Sequence, residues 1–134
     1  MHITVPFAIT GPAAPYILLI FGFLALVIVD ILIALVEGVV LTLLKWNHFR
    51  ASLTVSLIMN IISGIINGVL LIILQHNPMI WLPVSFTLAF FIDVFILTYF
   101  KRNAFSRNSL YALLVNLASY VLLILPAYYF GSRA

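Results

Sequence analysis

Cysteine is absent from the 134 residues, which excludes a disulfide scaffold, a thiolate metal site and a cysteine nucleophile. Charge is scarce. Six Lys and Arg and three Asp and Glu make up 7% of the chain, against ~25% in an ordinary soluble domain. No acid lies in a polar stretch and no histidine in an apolar one; His2, His48 and His76 sit at the N-terminus or in links. That distribution argues against haem or chlorophyll held by bundle-core imidazoles, and no cofactor is implied. Apolar residues make up 66% of the chain, and its mean hydropathy is +1.30. A soluble fold cannot hide that much apolar surface. A cytosolic globular enzyme, a disordered tail and a nucleic-acid-binding module are therefore excluded, and no basic run is long enough for the last. The solvent this chain suits is lipid.

Four apolar stretches are present, at about 15–44, 51–74, 79–100 and 109–130. Each has the ~20 residues that a helix needs to cross a ~30 Å hydrocarbon core. They are too long, and alternate too little, for barrel strands. The first would make ~45 Å of helix at 1.5 Å per residue, so it must tilt, bend or protrude, and Gly22 is a plausible bend. It is also too long for a signal-peptide core and lacks a clear cleavage site, which predicts a retained span. Pro12 and Pro78 stand just before helix starts, where proline is tolerated, whereas Pro83 and Pro126 lie inside spans and predict kinks.

The links are short: Lys45 to Arg50, Gln75 to Pro78 and Lys101 to Asn108. Short links between long helices make antiparallel neighbours. Lys45, Arg50, Lys101, Arg102 and Arg107 fall in the first and third links, and only Arg133 falls on the other side. By the positive-inside rule this predicts a multi-pass protein of the plasma (inner) membrane with both basic loops cytoplasmic and both termini outside.

A shift of 56 residues aligns the first hairpin with the second without a gap. Between Glu37 and Gly64, eight of 28 positions are identical and Glu37 falls on Asp93. The telling matches are the rarer letters: Thr42 with Thr98, Lys45 with Lys101, Asn47 with Asn103, Asn60 with Asn116 and Ser63 with Ser119. A repeat of two helices keeps both copies facing the same way, related by an axis along the membrane normal. The expected fold is an all-α membrane protein: a four-transmembrane-helix up-down bundle made of two parallel-repeated helical hairpins. It forms one integral membrane domain over residues 1–134, with repeats at about 15–74 and 79–130.

All three acids, Asp30, Glu37 and Asp93, lie inside apolar spans, where each costs ~2.5–3.5 kcal/mol on insertion scales. No Lys, Arg or His shares a span with them. Glu37 lies about 12 Å of helix before the first basic loop and Asn60 about 15 Å after it, so a tight hairpin brings them to similar depth. Asp93 and Asn116 repeat the arrangement. Asp30 and Asn67 each lie seven residues outward from Glu37 and Asn60, two turns along the same faces, predicting a second acid–amide layer. Ser52, Ser56, Asn60, Ser63 and Asn67 form one stripe, and Ser109, Ala112, Asn116 and Ser119 a matching one. Such stripes are commonly packing glue. Ionised and unpaired acids, however, are prohibitive in lipid; they must be protonated, share protons or hold a cation.

Carboxyl, amide and hydroxyl oxygens without imidazole or thiolate suit protons or hard cations. The expected site comprises Glu37, Asp93, Asn60, Asn116, Ser63, Ser119, Asp30 and Asn67, with no catalytic set and no dedicated metal centre. Catalysis is the weaker reading, because no nucleophile–base pair is evident. The chain thus reads as a small polytopic protein that binds or translocates a cation or proton. The alternative is a non-catalytic accessory subunit of a larger membrane complex. Its partners are the lipid bilayer and either further copies of itself or other subunits, with no nucleic acid. Four-span rotary-ATPase proteolipids also pair hairpins with carboxylates, but their acid lies on the second helix of a hairpin, whereas here the acids lie on the first.

Cysteines placed at Asn47 and Asn103 should label with a membrane-impermeant maleimide from one side only, the cytoplasmic side. Labelling of the two from opposite sides would refute the up-down hairpin topology.

Overall fold

The computed structural model describes residues 14–73 and 78–131. The readings placed on His2, Pro12, His76 and Arg133 lie outside the described residues. The chain forms α1 (Ala14–Leu43), α2 (Phe49–Ile73) and α3 (Pro78–Phe100). A short 3₁₀ turn (Arg102–Ala104) then leads into α4 (Phe105–Ser119), a π-helical stretch (Tyr120–Ile124) and α5 (Leu125–Gly131), which together make the fourth span. There is no strand among the described residues. Four helical stretches are long and apolar enough to cross a membrane. Their outer faces expose Phe21, Phe23, Ile28, Ile65, Phe91 and Phe95, among other large apolar side chains. Such faces belong in lipid, so the protein is an integral, multi-pass, all-α four-helix bundle.

Each helix packs on its chain neighbours, and α4 closes the ring on α1. The two basic loops therefore meet at one end of the bundle. There, α1 ends in a Schellman-type turn: the Lys45 N–H donates to Thr42 O and the Trp46 N–H to Leu41 O, both at 2.9 Å. Lys45 takes the left-handed position with φ 58°, where glycine is the usual occupant. The turn swings Trp46 into the core beside Leu41, Val55, Met59, Leu97 and Val115. Lys101 of the second loop donates its ammonium to Trp46 O and lies 4.8 Å from the centre of the Trp46 ring.

The structure corrects two expectations. The third link is shorter than expected: α4 begins at Phe105, and Asn108, read from the sequence as a loop residue, is fully buried in its first turn. Its amide nitrogen donates to Leu97 O at 3.2 Å and Lys101 O at 2.9 Å, while its oxygen accepts from Trp46 Nε1 at 3.3 Å. Both carbonyls also accept backbone N–H groups, Leu97 O from Lys101 at 2.9 Å and Lys101 O from Ala104 at 3.3 Å, so Asn108 adds a second bond to each. The buried stripe of α4 accordingly runs through Asn108, Ala112, Asn116 and Ser119, with Ser109 turned back to Phe105 O. Finally, α1 and α3 run unbroken through Gly22 and Pro83. The fourth span does change pitch before Pro126. Pro126 has no N–H for the Leu122 carbonyl, and the Leu125 N–H reaches Tyr120 O, five residues back.

Packing is tight at one end only. Among the described residues, none is buried before Ala34 on α1, after Ser63 on α2, before Ser85 on α3 or after Ser119 in the fourth span. Away from the basic loops the helices splay, and extensive packing of the fourth span on α1 is confined to α4.

Asn108→Leu should remove the donor to two carbonyls and cost about 1–2 kcal/mol. The check is equilibrium unfolding in mixed micelles; an unchanged midpoint would show that these bonds contribute nothing.

Candidate functional site

The hairpin geometry brings acid and amide together as the residue counts require. Asn60 Nδ2 donates to Glu37 Oε2 at 2.6 Å and to its own helix at Ser56 O at 3.0 Å. In the second hairpin Asn116 Nδ2 donates to Asp93 Oδ2 at 2.5 Å and to Ala112 O at 2.9 Å. Each asparagine thus bridges a carboxyl on the partner helix and the carbonyl four residues back on its own. All four side chains are buried. Ser56, Asn60 and Ser63 face protein rather than lipid.

The two halves differ in how well the acid is satisfied. Ser56 Oγ shares its one proton between Ala34 O at 2.9 Å and Glu37 Oε2 at 3.1 Å, and Ser119 Oγ shares its own between Val115 O and Glu37 Oε1, both at 3.0 Å. The last bond crosses between the hairpins. Among the described residues Asp93 accepts from Asn116 alone: the position 56 residues after Ser56 is Ala112, and Ser63 bonds Asn60 O at 3.4 Å. Its Oδ1 has no hydrogen-bond donor among the described residues.

These residues floor a cavity of about 340 Å³. All eight residues singled out from the sequence line it: Glu37, Asp93, Asn60, Asn116, Ser63, Ser119, Asp30 and Asn67. The lining runs outward from the Glu37–Asp93 layer as far as Leu26, Gly68, Trp81 and Ile124 on the four spans. Toward the basic loops the floor rests on the packed layer of Leu41, Met59, Leu97 and Val115, beyond which lies Trp46. The cavity therefore occupies the splayed end of the bundle and stops at the acid–amide layer.

The second layer departs from expectation. Asp30 and Asn67 both line the cavity, but no hydrogen bond joins them among the described residues. Asp30 lies against Gly64, where an added Cβ would stand 3.3 Å from Asp30 Oδ2. The missing side chain at Gly64 admits the carboxyl. Asn67 lies almost one turn further out, and its Oδ1 is buried without a partner. No group of three or more His, Cys, Asp or Glu among the described residues is placed to hold a metal ion.

Several contributors were not singled out from the sequence. Ser56 belonged to the polar stripe, and its place one turn from Asn60 was the available signal. Ser85, Trp81 and Tyr120 line the cavity from α3 and the π-helical stretch, and nothing in a single sequence marks them. The Ser85 and Tyr120 hydroxyls share a hydrogen bond of 3.0 Å, and Tyr120 meets Phe86 edge-on with ring centres 5.0 Å apart.

No protein-family model matches this chain, and neither curated proteins nor solved structures yield a match. The functional reading rests on the geometry.

Ser119→Ala should remove the hydrogen bond joining Glu37 to the second hairpin and cost about 0.6 kcal/mol, the average for such bonds in a membrane bundle, and no more than ~1.7 kcal/mol. Ser119→Thr should retain it. Unfolding in mixed micelles checks this; equal midpoints for Ser119→Ala and the parent protein would mean that the bond carries no energy.

Proposed function

We propose that this protein binds a cation or proton at the Glu37–Asp93 floor and passes it across the plasma membrane, with the basic loops in the cytoplasm. The observation that carries the reading is that four helices direct both carboxyls, both asparagines and Ser119 to the closed end of one cavity. Among the described residues, none of those lining it is Lys, Arg or His. The carboxyls must therefore be neutralised by protons or by a bound cation. Hydrogen-bond glue needs neither a carboxyl nor an open cavity beside it.

Passage requires a route through the packed end. The contacts that hold it shut are the Leu41–Leu97 layer and the Trp46–Asn108–Lys101 cluster, which joins the two hairpins. A rocking of one hairpin against the other would loosen both. A duplicated origin for the hairpins suits that motion and is supported by matched burial at the 56-residue offset: Leu41 with Leu97, Met59 with Val115, and Ser52 with Asn108.

The second reading, an accessory subunit of a larger membrane complex, is favoured by α1. Its residues from Tyr16 to Ile33 include no buried described side chain, yet Phe21, Phe23 and Leu26 are each more than 60% exposed. Lipid or a neighbouring subunit would cover them.

Purified protein in proteoliposomes should carry a proton or cation flux driven by an imposed gradient. Glu37→Gln combined with Asp93→Asn should lower that flux at least about tenfold while helicity by circular dichroism is retained, since ~1.4 kcal/mol already changes a rate tenfold. Flux no greater than that of empty vesicles would overturn transport and leave the subunit reading.

A further inference from the structure

The cavity is poorly shaped for a bare ion. At roughly 30 Å³ per water, its volume of about 340 Å³ holds the equivalent of about ten waters. A dehydrated monatomic cation needs a cage of six or so oxygens at short range. Here the acids are spread along the cavity, Asp30 lying two turns out from Glu37, and the walls between them are apolar: Leu26, Val29, Ile33, Ala89 and Ile124. A volume of this size with mostly apolar walls and few convergent polar groups is the form of a site for a small organic molecule.

One polar atom at the floor points to what that molecule carries. Asp93 is 2% exposed, and one of its carboxyl oxygens accepts from Asn116 while the other lacks a donor. Asn67 Oδ1, an acceptor, and Trp81 Nε1, a donor, are also buried without partners, but farther out along the cavity. All three side chains line the cavity. Glu37, by contrast, already accepts from Ser56, Asn60 and Ser119. The floor therefore has one open carboxyl oxygen, which matches a single charged donor. Tyr120, one turn outward from Asn116, adds an aromatic ring of the kind suited to a partly desolvated ammonium, whereas Trp81, about 18 Å of helix outward from Asp93, lines the far part of the cavity.

We infer that the cavity binds an amphiphilic organic monocation, an amine whose ammonium donates to Asp93 and whose apolar body fills the space toward Leu26 and Ile124. This rests on the cation-binding reading and names its ligand class. The splayed end of the bundle provides the way in.

The test uses the full chain in phosphatidylcholine nanodiscs and three probes: 4-phenylbutylamine, its uncharged analogue 4-phenylbutanol, and Na⁺. The amine should raise the melting temperature saturably, and the alcohol and Na⁺ should not. Asp93→Asn should weaken the apparent affinity for the amine at least tenfold. Gly68→Phe should do the same by filling the cavity; a Cβ at Gly68 meets nothing within 4 Å, so this variant tests the site even if Asp93→Asn fails to fold. An absent amine shift, an equal shift from the alcohol, or wild-type affinity in either folded variant overturns the inference. Proton or Na⁺ flux that depends on Glu37 and Asp93, together with a silent amine, would refute the ligand class and leave ion transport standing. Saturable amine binding without any flux would uphold the ligand class and refute transport.

Discussion

A carboxyl placed in lipid must find hydrogen-bond donors inside the protein, because no water is there to supply them. The rest of this bundle follows from that demand at Glu37 and Asp93. Each acid needs an amide at its own depth on the returning helix, and Asn60 and Asn116 meet the need at 2.6 and 2.5 Å. The pairing sets the register of each hairpin. With that register in place, Leu41, Met59, Leu97 and Val115 come together as the layer between the acids and the basic loops. The cross-bond from Ser119 to Glu37 then ties one hairpin to the other at the same depth.

The ends of the bundle are built differently, and the difference lies in side-chain size and backbone pitch. Near the basic loops, Trp46 enters the core through a left-handed turn at Lys45, and Asn108 closes the end of α3. At the other end, Gly64 and Gly68 leave space on α2, where Asp30 occupies the first position and nothing within 4 Å would meet a Cβ at the second. The π-helical stretch before Pro126 widens the fourth span at Tyr120, whose hydroxyl meets Ser85 across the cavity wall. Such widened turns recur at functional sites, since they re-aim side chains that a regular helix would bury or expose. A packed end and a splayed end together leave one cavity closed at the acids.

Asymmetry between the matched hairpins has a chemical consequence. Substituting alanine at position 112 for the hydroxyl found at Ser56 leaves Asp93 with fewer donors than Glu37. Under the proposed cation-binding reading, the two acids differ in how much bonding capacity each has left for a ligand.

Composition and residue spacing alone determined the helical class, the number of spans, the hairpin order and the depth at which acid meets amide, because these depend on length in lipid and on counts from the loops. They also brought together the eight polar residues of the cavity. Only the tertiary structure decided how those residues divide their bonds. It placed Asp30 against Gly64 rather than beside Asn67, since the space left by a missing side chain is a property of two packed helices and not of either sequence. It drew Asn108 into the core, where its amide bonds Leu97 O, Lys101 O and Trp46 Nε1, so that a polar side chain marking a loop in the sequence is fully paired inside the bundle. It also supplied Trp81, Ser85 and Tyr120 as wall residues, whose inward direction depends on the splay of the helices and on a π turn that no local pattern announces.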